Sequence, residues 1–523
     1  MSKRFYITTA IDYLNGPPHL GHAYEKVITD VIARSRRSLG HEVFYLTGTD
    51  EHGQKVQQAA QAEGKTPQAY CDELAALFKS LAAQLQLSND DFIRTTEPRH
   101  QALVQAWLAK LHAQGDIYKA TYTGFYSAKE ETFLTEKDRR PDGTFDPFWG
   151  DVVELSEDNY YFRMGRHQQW LLEHVEAHPD FVYPDYRRNE VLGFLKNETL
   201  GDLCITRPAA RLNWGIPLPF DPDFVTYVWF DALSNYVTAA GANGDPVVLA
   251  TLDPHSALRT PHSALSLWPA DAHVIGKDII KFHAVYWPIM LKAAALPLPK
   301  QVIVHGWWQK DGEKMSKSTG NVVDPLAVIN EWGVDAFRYY VVRELDIGPD
   351  GNWTDAGFAA RYHAELANGL GNLVNRSLSM LKRYRNGVVP KRSDELAAEV
   401  DKAVSVTAQQ LREYQLQSAL ETIWSIVSRA NQYVDQTAPF KLAKDPSQAA
   451  RLDAVLYTLA ETCRVLAVLL WPFLPFTAGK MYAQLGLGET PDKFPSAQWG
   501  GLPSGHTIGE IAPLFPRKDQ PAK

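Results

Sequence analysis

The chain has 523 residues, too many for one ordinary core, so about two to four domains are expected. With 45% hydrophobic and 22% charged residues it has the make-up of a water-soluble globular protein. A net charge of −8 offers no bulk attraction for nucleic acid, so any RNA contact has to come from local basic patches. The three cysteines, Cys71, Cys204 and Cys463, are far apart and form no CxxC pair. That disfavours a disulfide framework and a cysteine-built zinc knuckle. The N-terminus lacks the apolar core of a signal peptide. The longest apolar run, residues 465–476, is too short to span a bilayer and is broken by Pro472 and Pro475. A cytoplasmic location, with no membrane partner, is expected.

Residues 4–10 (RFYITTA) are β-branched and aromatic and predict a strand. NGPPHLGH follows at 15–22, and then Tyr24, Val27, Ile28, Val31 and Ile32 recur at helical spacing until Gly40. His19, Gly21 and His22 therefore open a helix. Unpaired N–H groups, two imidazoles and a close backbone approach there make an anion site. Taken alone, two histidines in a turn are as readily a polar surface.

Residues 42–47 (EVFYLT) predict a second strand running into GTDEHG at 48–53. Strand, helix, strand is the start of a doubly wound α/β sheet, in which ligands bind at the carboxyl edge. Asp50 and His52 should lie beside His19 and His22, although Asp50 also suits a helix N-cap. Amphipathic helices are predicted over 67–87 and 100–114. From 118 to 222 short aromatic runs are separated by Gly, Pro and Asp, as in an inserted domain of short strands. The α/β pattern resumes over 224–231 and continues through 273–278 (HVIGKD), a helix over 279–294 and a strand over 301–305, while 241–267 reads as a loop. KMSKS, at 314–318 between Gly312 and Gly320, suits a clamp on a polyphosphate, and 335–342 predicts a helix. Most short basic loops of that kind are inert. From 359 onward helical periodicity dominates. Leu452, Val455, Leu456, Leu459, Cys463, Leu466 and Leu470 form one apolar face of a bundle expected almost to the end, with residues 516–523 frayed. No internal repeat or low-complexity tract is present.

HLGH followed by KMSKS resembles the paired motifs of class I aminoacyl-tRNA synthetases. Further matches narrow the resemblance to the methionyl-tRNA synthetase family, over nearly the whole chain. It implies a Rossmann-like catalytic domain (residues 1–117 and 223–310) interrupted by a connective insertion (118–222). It also implies a KMSKS loop with its linking fold (311–358) and a helical anticodon-binding domain (359–523). The implied reaction is ATP-dependent activation of L-methionine and transfer to the 3′ end of tRNA(Met), with Mg2+ accompanying ATP. By resemblance His19, His22, Lys314 and Lys317 are catalytic. ATP would meet His19, Gly21, His22, Gly276, Asp278, Lys314, Ser316 and Lys317. Methionine would meet Ala10, Ile11, Tyr13, Asp50, Trp229, Ala232, Tyr236, Ile279, His283 and Trp287. Asp50 would take the ammonium, and Tyr13 and His283 would stand within hydrogen-bond reach of sulfur. Singly, Trp229 or Trp287 reads as core packing, about two times in three. Leu233 stands where some relatives have proline.

Relatives often carry a zinc knuckle in the insertion. Here Ser127, Ala128, Glu130 and Glu131 stand without any nearby cysteine pair, so no structural zinc is expected. Arg383, Asn431, Pro439 and Phe440 match the anticodon-reading region, with Phe440 where relatives usually have Trp. Arg376, Lys382, Arg383, Arg385, Lys391 and Arg392 form a run free of acidic residues there, which reads as a phosphate-contacting patch or a solvated face. A monomer is expected. The alternatives are another class I synthetase, for leucine, isoleucine, valine or cysteine; a smaller HxGH nucleotidyltransferase; or a catalytically idle tRNA-binding protein of the same fold.

Overall fold

The computed structural model describes residues 3–127, 132–134, 138–241, 267–315, 320–488 and 490–518. Its centre is a parallel sheet of seven strands among those residues. Across the sheet run Asp91–Arg94, Glu42–Asp50, Arg4–Thr9, Ala272–Gly276, Val302–His305 and Val182–Tyr183, every pair parallel. The inner strands are near-continuous apolar runs because helices cover both faces. The strand order reverses between Arg4–Thr9 and Ala272–Gly276, and there the sheet splays. Ala10 donates its N–H to Val274 O at 3.0 Å on one side. Two residues later Asp12–Tyr13 pairs with Thr49 and Asp50 on the other. A crevice at such a switch point is where a doubly wound sheet takes its ligand.

The expected first helix is Leu20–Ser38, with Tyr24, Val27, Ile28, Val31 and Ile32 fully buried on its core face. The helix expected over 279–294 opens with a 3₁₀ turn, passes through a π-helical turn at Phe282–Tyr286 and ends as α-helix over Trp287–Ala293. Residues 224–231 differ from the expectation. Phe224–Thr226 pairs antiparallel with Thr206–Pro208, outside the main sheet, and Val228–Leu233 is a short helix. The loop expected over 241–267 lies almost wholly outside the described residues.

Within 118–222, Ile117–Ser127 pairs along its length with Val152–Phe162, flanked by Thr132–Leu134 and Leu203–Cys204. At the tip the Arg139 guanidinium lies over the rings of Phe125 and Phe145, 4.2 and 5.3 Å from their centroids. Val182–Tyr183, from the same stretch, instead joins the edge of the main sheet.

After Asp355–Arg361 the chain makes a π-helical run, Tyr362–Gly371. It then forms the helices Asn372–Arg385, Ala397–Arg412, Leu416–Thr437, Ala449–Leu470 and Pro475–Gln484. All seven residues of the expected apolar face are buried. Among the described residues no helix is long and apolar enough to cross a membrane. Beyond Gln484 the chain is mostly irregular and folds back. Pro516, expected to fray, accepts a hydrogen bond from Tyr362 Oη at 2.8 Å.

One buried guanidinium joins the sheet's first helix to the bundle. Arg338, fully buried on Val334–Arg343, donates to Asp30 Oδ2 at 2.7 Å, Leu85 O at 3.1 Å, Phe473 O at 2.8 Å and Pro472 O at 3.1 Å. Burial works against the Asp30 charge, but the Arg338 and Arg34 guanidiniums overcome it and hold the carboxyl below its ordinary range. Arg338→Met should therefore destabilise the fold by about 3–5 kcal/mol, because it takes one of two guanidiniums from a buried carboxylate and removes the donor that three backbone carbonyls share. A thermal midpoint unchanged from the wild type would refute that.

Candidate active site

The switch-point crevice is a cavity of about 1040 Å³. His19 is the N-cap of Leu20–Ser38. Its Nδ1 accepts the Gly21 N–H at 3.1 Å, and His22 Nδ1 accepts the His19 N–H at 3.1 Å. With both Nδ1 atoms acting as acceptors, each neutral ring carries its proton on Nε2. The rings stack, centroids 3.8 Å apart, so two Nε2–H donors stand side by side at a helix N-terminus. His22 Nε2 also lies 4.0 Å from Asp12 Oδ1, whose other oxygen pairs with the buried Lys26. Burial outweighs Lys26 and pushes the Asp12 carboxyl up to about 6.

The cavity is also lined by Asp50, whose Oδ1 is buried without a hydrogen-bond partner. Burial first, then the charges of Asp231 and Glu51, raises its carboxyl well above the ordinary range, against the N–H groups of His52 and Glu51. Asp231, fully buried, has the opposite surroundings. His52 Nδ1 and His100 Nε2 face its two oxygens at 2.9 and 3.2 Å, and these imidazoles hold it low despite burial. The N-cap of the next helix is Gly53, not Asp50. Its φ of +114° and the Tyr13 hydroxyl, 2.9 Å from where a Cβ would sit, allow only glycine.

Ala10, Ile11, Tyr13, Trp229, Ala232, Tyr236, Ile279 and His283 all line the same cavity. Trp229 stacks on Phe282 at 3.7 Å. The His283 ring sits in the π-helical turn, with Nδ1 donating to Ile279 O at 3.1 Å and Nε2 accepting from Tyr236 Oη at 2.7 Å. Burial pushes its imidazolium down to about 4, so the ring stays neutral. Two sequence expectations meet a different arrangement. With both nitrogens engaged, His283 has no N–H left for a thioether sulfur. Trp287 is fully buried behind the wall, packed on Trp107 and Trp268, and donates to His273 Nε2 at 3.2 Å.

Gly276, the last residue of the strand Ala272–Gly276, lines the cavity too, with Asp278 and Lys314. Ser316 and Lys317 lie outside the described residues. Several lining groups were not singled out in the sequence: Glu25 and His305, paired at 3.0 Å, and Lys277, Trp307 and Asp350. His305 ends the strand expected over 301–305 and Trp307 follows it at the ligand edge, the rule that located Asp50, so their signal is present in the sequence. Asp350 arrives from a loop with no pattern of its own.

In the bundle, Arg376, Arg385 and Arg392 pair with Asp435, Asp453 and Asp394. Lys382, Arg383 and Lys391 are exposed and take no carboxylate partner among the described residues. Phe440 is 46% exposed beside the buried Pro439. The Asn431 amide donates to Gly369 O and Val427 O.

Two family models match the chain: "tRNA synthetases class I (M)" over residues 5–142 and 149–378, and "Anticodon binding domain of methionyl tRNA ligase" over 385–519. The chain belongs to the methionyl-tRNA synthetase family. It is 43% identical to the methionine–tRNA ligase of Fusobacterium nucleatum over 99% of this chain and 80% of that one. With that of Rhizobium meliloti it shares 44% identity over 98% of both. The solved Mycobacterium tuberculosis methionyl-tRNA synthetase in complex with methionyl-adenylate superposes with a TM-score of 0.89 at 38% identity, covering 98% of this chain and 100% of that one. The doubly wound sheet and helical C-terminal region expected from the sequence are thus those of the family.

Proposed function

We propose that the switch-point cleft performs the family's reaction: L-methionine and ATP give methionyl-adenylate and pyrophosphate, and the methionyl group then passes to the 3′-terminal adenosine of tRNA(Met). The observation that carries this reading is one cavity lined by the His19–His22 pair, Lys314 and the buried Asp50 carboxylate, whose Oδ1 has no hydrogen-bond partner. Asp50 takes the substrate ammonium. The neutral wall of Trp229, Ala232, Tyr236 and His283 takes the thioether, where one methylene-sized difference is worth about 1–3 kcal/mol. Homocysteine therefore needs a further means of rejection, which the family resemblance supplies as cyclisation in the same site.

The methionine carboxylate oxygen attacks the α-phosphorus as the bond to the bridging oxygen breaks, and pyrophosphate departs. Such chemistry is positioning plus charge stabilisation. The Nε2–H groups of His19 and His22 donate to phosphate oxygens as charge builds, Asp278 meets a ribose hydroxyl, and Lys314 with Lys317 meets the pyrophosphate. Among the described residues no group of His, Cys, Asp or Glu is arranged to hold a metal. Magnesium accompanying ATP would be held by its phosphates and water and would neutralise part of their charge. We propose further that the protein is a cytoplasmic monomer without structural zinc.

The deciding experiment is ATP–pyrophosphate exchange with each amino acid offered separately. Methionine alone should drive rapid exchange; exchange with leucine, isoleucine, valine or cysteine instead, or with none, overturns the reading. For the RNA end, Phe440→Ala and Arg383→Ala should each weaken tRNA(Met) charging about tenfold, as loss of one stacked base or phosphate contact does. Exchange should stay near normal, and equal loss of both activities would remove these residues from the anticodon site.

A further inference from the structure

We propose that Trp307 is a positioning residue of the nucleotide end of the cleft, its indole N–H fixing the Asp278 carboxylate while its ring face gathers the ammonium groups of Lys277 and Lys314. The inference rests on the reading of the cleft just given and adds to it a residue neither signature motif contains. Trp307 is a large aromatic side chain left 39% exposed at the cavity wall. Its Nε1 donates to Asp278 Oδ1 at 3.1 Å. Lys277 Nζ lies 4.3 Å and Lys314 Nζ 4.9 Å from its ring centroid, both within cation–π range.

Two ammonium groups at one ring repel each other. Lys277 is balanced by Asp350, 2.7 Å away, whereas Lys314 takes no carboxylate partner among the described residues and rests on the indole. The indole in turn is fixed through its backbone. The Trp307 N–H donates to Asp350 Oδ1 at 2.9 Å, and Trp307 O accepts the Gly351 N–H at 2.8 Å. Gly306 permits this approach, since a Cβ there would lie 2.0 Å from Pro349 O. The next residues, Trp308–Lys310, pair with both Glu313–Lys314 and Gly351–Trp353, so one small sheet sets Trp307, Lys314 and Asp350 in register.

The two halves of the indole have separable duties. A carboxylate held for a ribose hydroxyl serves ground-state binding, whereas an ammonium held on the pyrophosphate path serves the transition state. Trp307→Phe keeps a ring face and removes the N–H. Its ATP KM should rise about three- to tenfold with kcat for exchange within about twofold of the wild type. Trp307→Leu removes both, and should add a fall in kcat of about tenfold. Calorimetric methionine Kd should stay within about twofold for both, whereas general damage to the fold would weaken it in step with ATP.

The inference is overturned if Trp307→Leu leaves ATP KM and kcat unchanged, if Trp307→Phe and Trp307→Leu behave alike, or if methionine affinity falls alongside. Calorimetric ATP Kd needs no turnover. If the wild type shows no methionine-dependent exchange, the functional reading fails. The role of Trp307 is then read from ATP Kd alone: a Kd weakened by both variants upholds it, and an unchanged Kd removes it.

Discussion

Replacing His22 by alanine should lower kcat for methionine-dependent ATP–pyrophosphate exchange about 100- to 1000-fold, the usual loss when one preorganised donor to a developing oxyanion is removed. Its ring carries the Nε2 proton because Nδ1 is occupied by the His19 N–H. That hydrogen bond is also half of the cap on Leu20–Ser38. Alanine therefore loosens the helix start as well, a structural loss of about 0.5–2 kcal/mol. His22→Asn separates the two roles, since its amide oxygen can accept the His19 N–H while nothing replaces the Nε2–H. The expected result is that Asn restores thermal stability and leaves kcat depressed, with the KM values for methionine and ATP little changed in both variants. A donor acting only as charge builds has that profile. Less than a tenfold fall in kcat for alanine, or recovery with asparagine, would remove His22 from the chemistry.

Asp50→Asn should raise the methionine KM about 30-fold or more, in keeping with the roughly 2–5 kcal/mol lost when one partner of a buried charge pair is removed. The same substitution should make the empty protein more stable. The Asp50 carboxyl is held up by burial and by Asp231 and Glu51, and its Oδ1 has no partner. An acid raised above its unfolded value stabilises the fold only while it is protonated. As pH rises from the unfolded value through the folded one that contribution is lost, so above the ordinary carboxylate range the acid is a burden to the fold. An isosteric amide removes it.

The bound ammonium inverts the balance, because it favours the ionised form. Wild-type affinity for methionine should therefore strengthen as the pH is raised through the elevated Asp50 range, and that dependence should be absent in Asp50→Asn. The measurements are methionine Kd against pH and thermal midpoints without ligand. A flat wild-type profile, or a destabilised Asn variant, would contradict the assignment.

The sequence made the catalytic edge legible because its elements are long and periodic. Residues 4–10, 24–40 and 42–47 predicted the strand, helix and strand that now carry His19, His22 and Asp50, with the helix beginning one residue after His19. Val182–Tyr183 was illegible for the opposite reason: two residues carry no period, and only the pairing with Val302 and Ile303 makes them a strand. Residues 224–231 misled because β-branched and aromatic residues suit a strand, whereas the helix Val228–Leu233 is set by packing over the cleft.

In the site, order along the chain located nine of the ten methionine-pocket candidates on one cavity. It could not tell a wall from the layer behind it, which is where Trp287 lies. Nor could it show that His283 spends both ring nitrogens internally, since that depends on a π-helical turn placing Nδ1 over Ile279 O.

The Arg338–Asp30 contact has a mechanical consequence. Leu20–Ser38 works as a shaft, with stacked imidazoles at its tip and, midway along, a bolt that also grips the chain at Pro472 and Phe473. A second fastening, Arg36 to Arg412 O at 3.0 Å, lies nearer its far end. Any tilt of the helical bundle is thus handed to the shaft, and a displacement of about 1 Å at a reacting centre can slow a reaction about 100-fold. The hydrogen bonds thus tie the bundle to the same helix that carries His19 and His22 at its start.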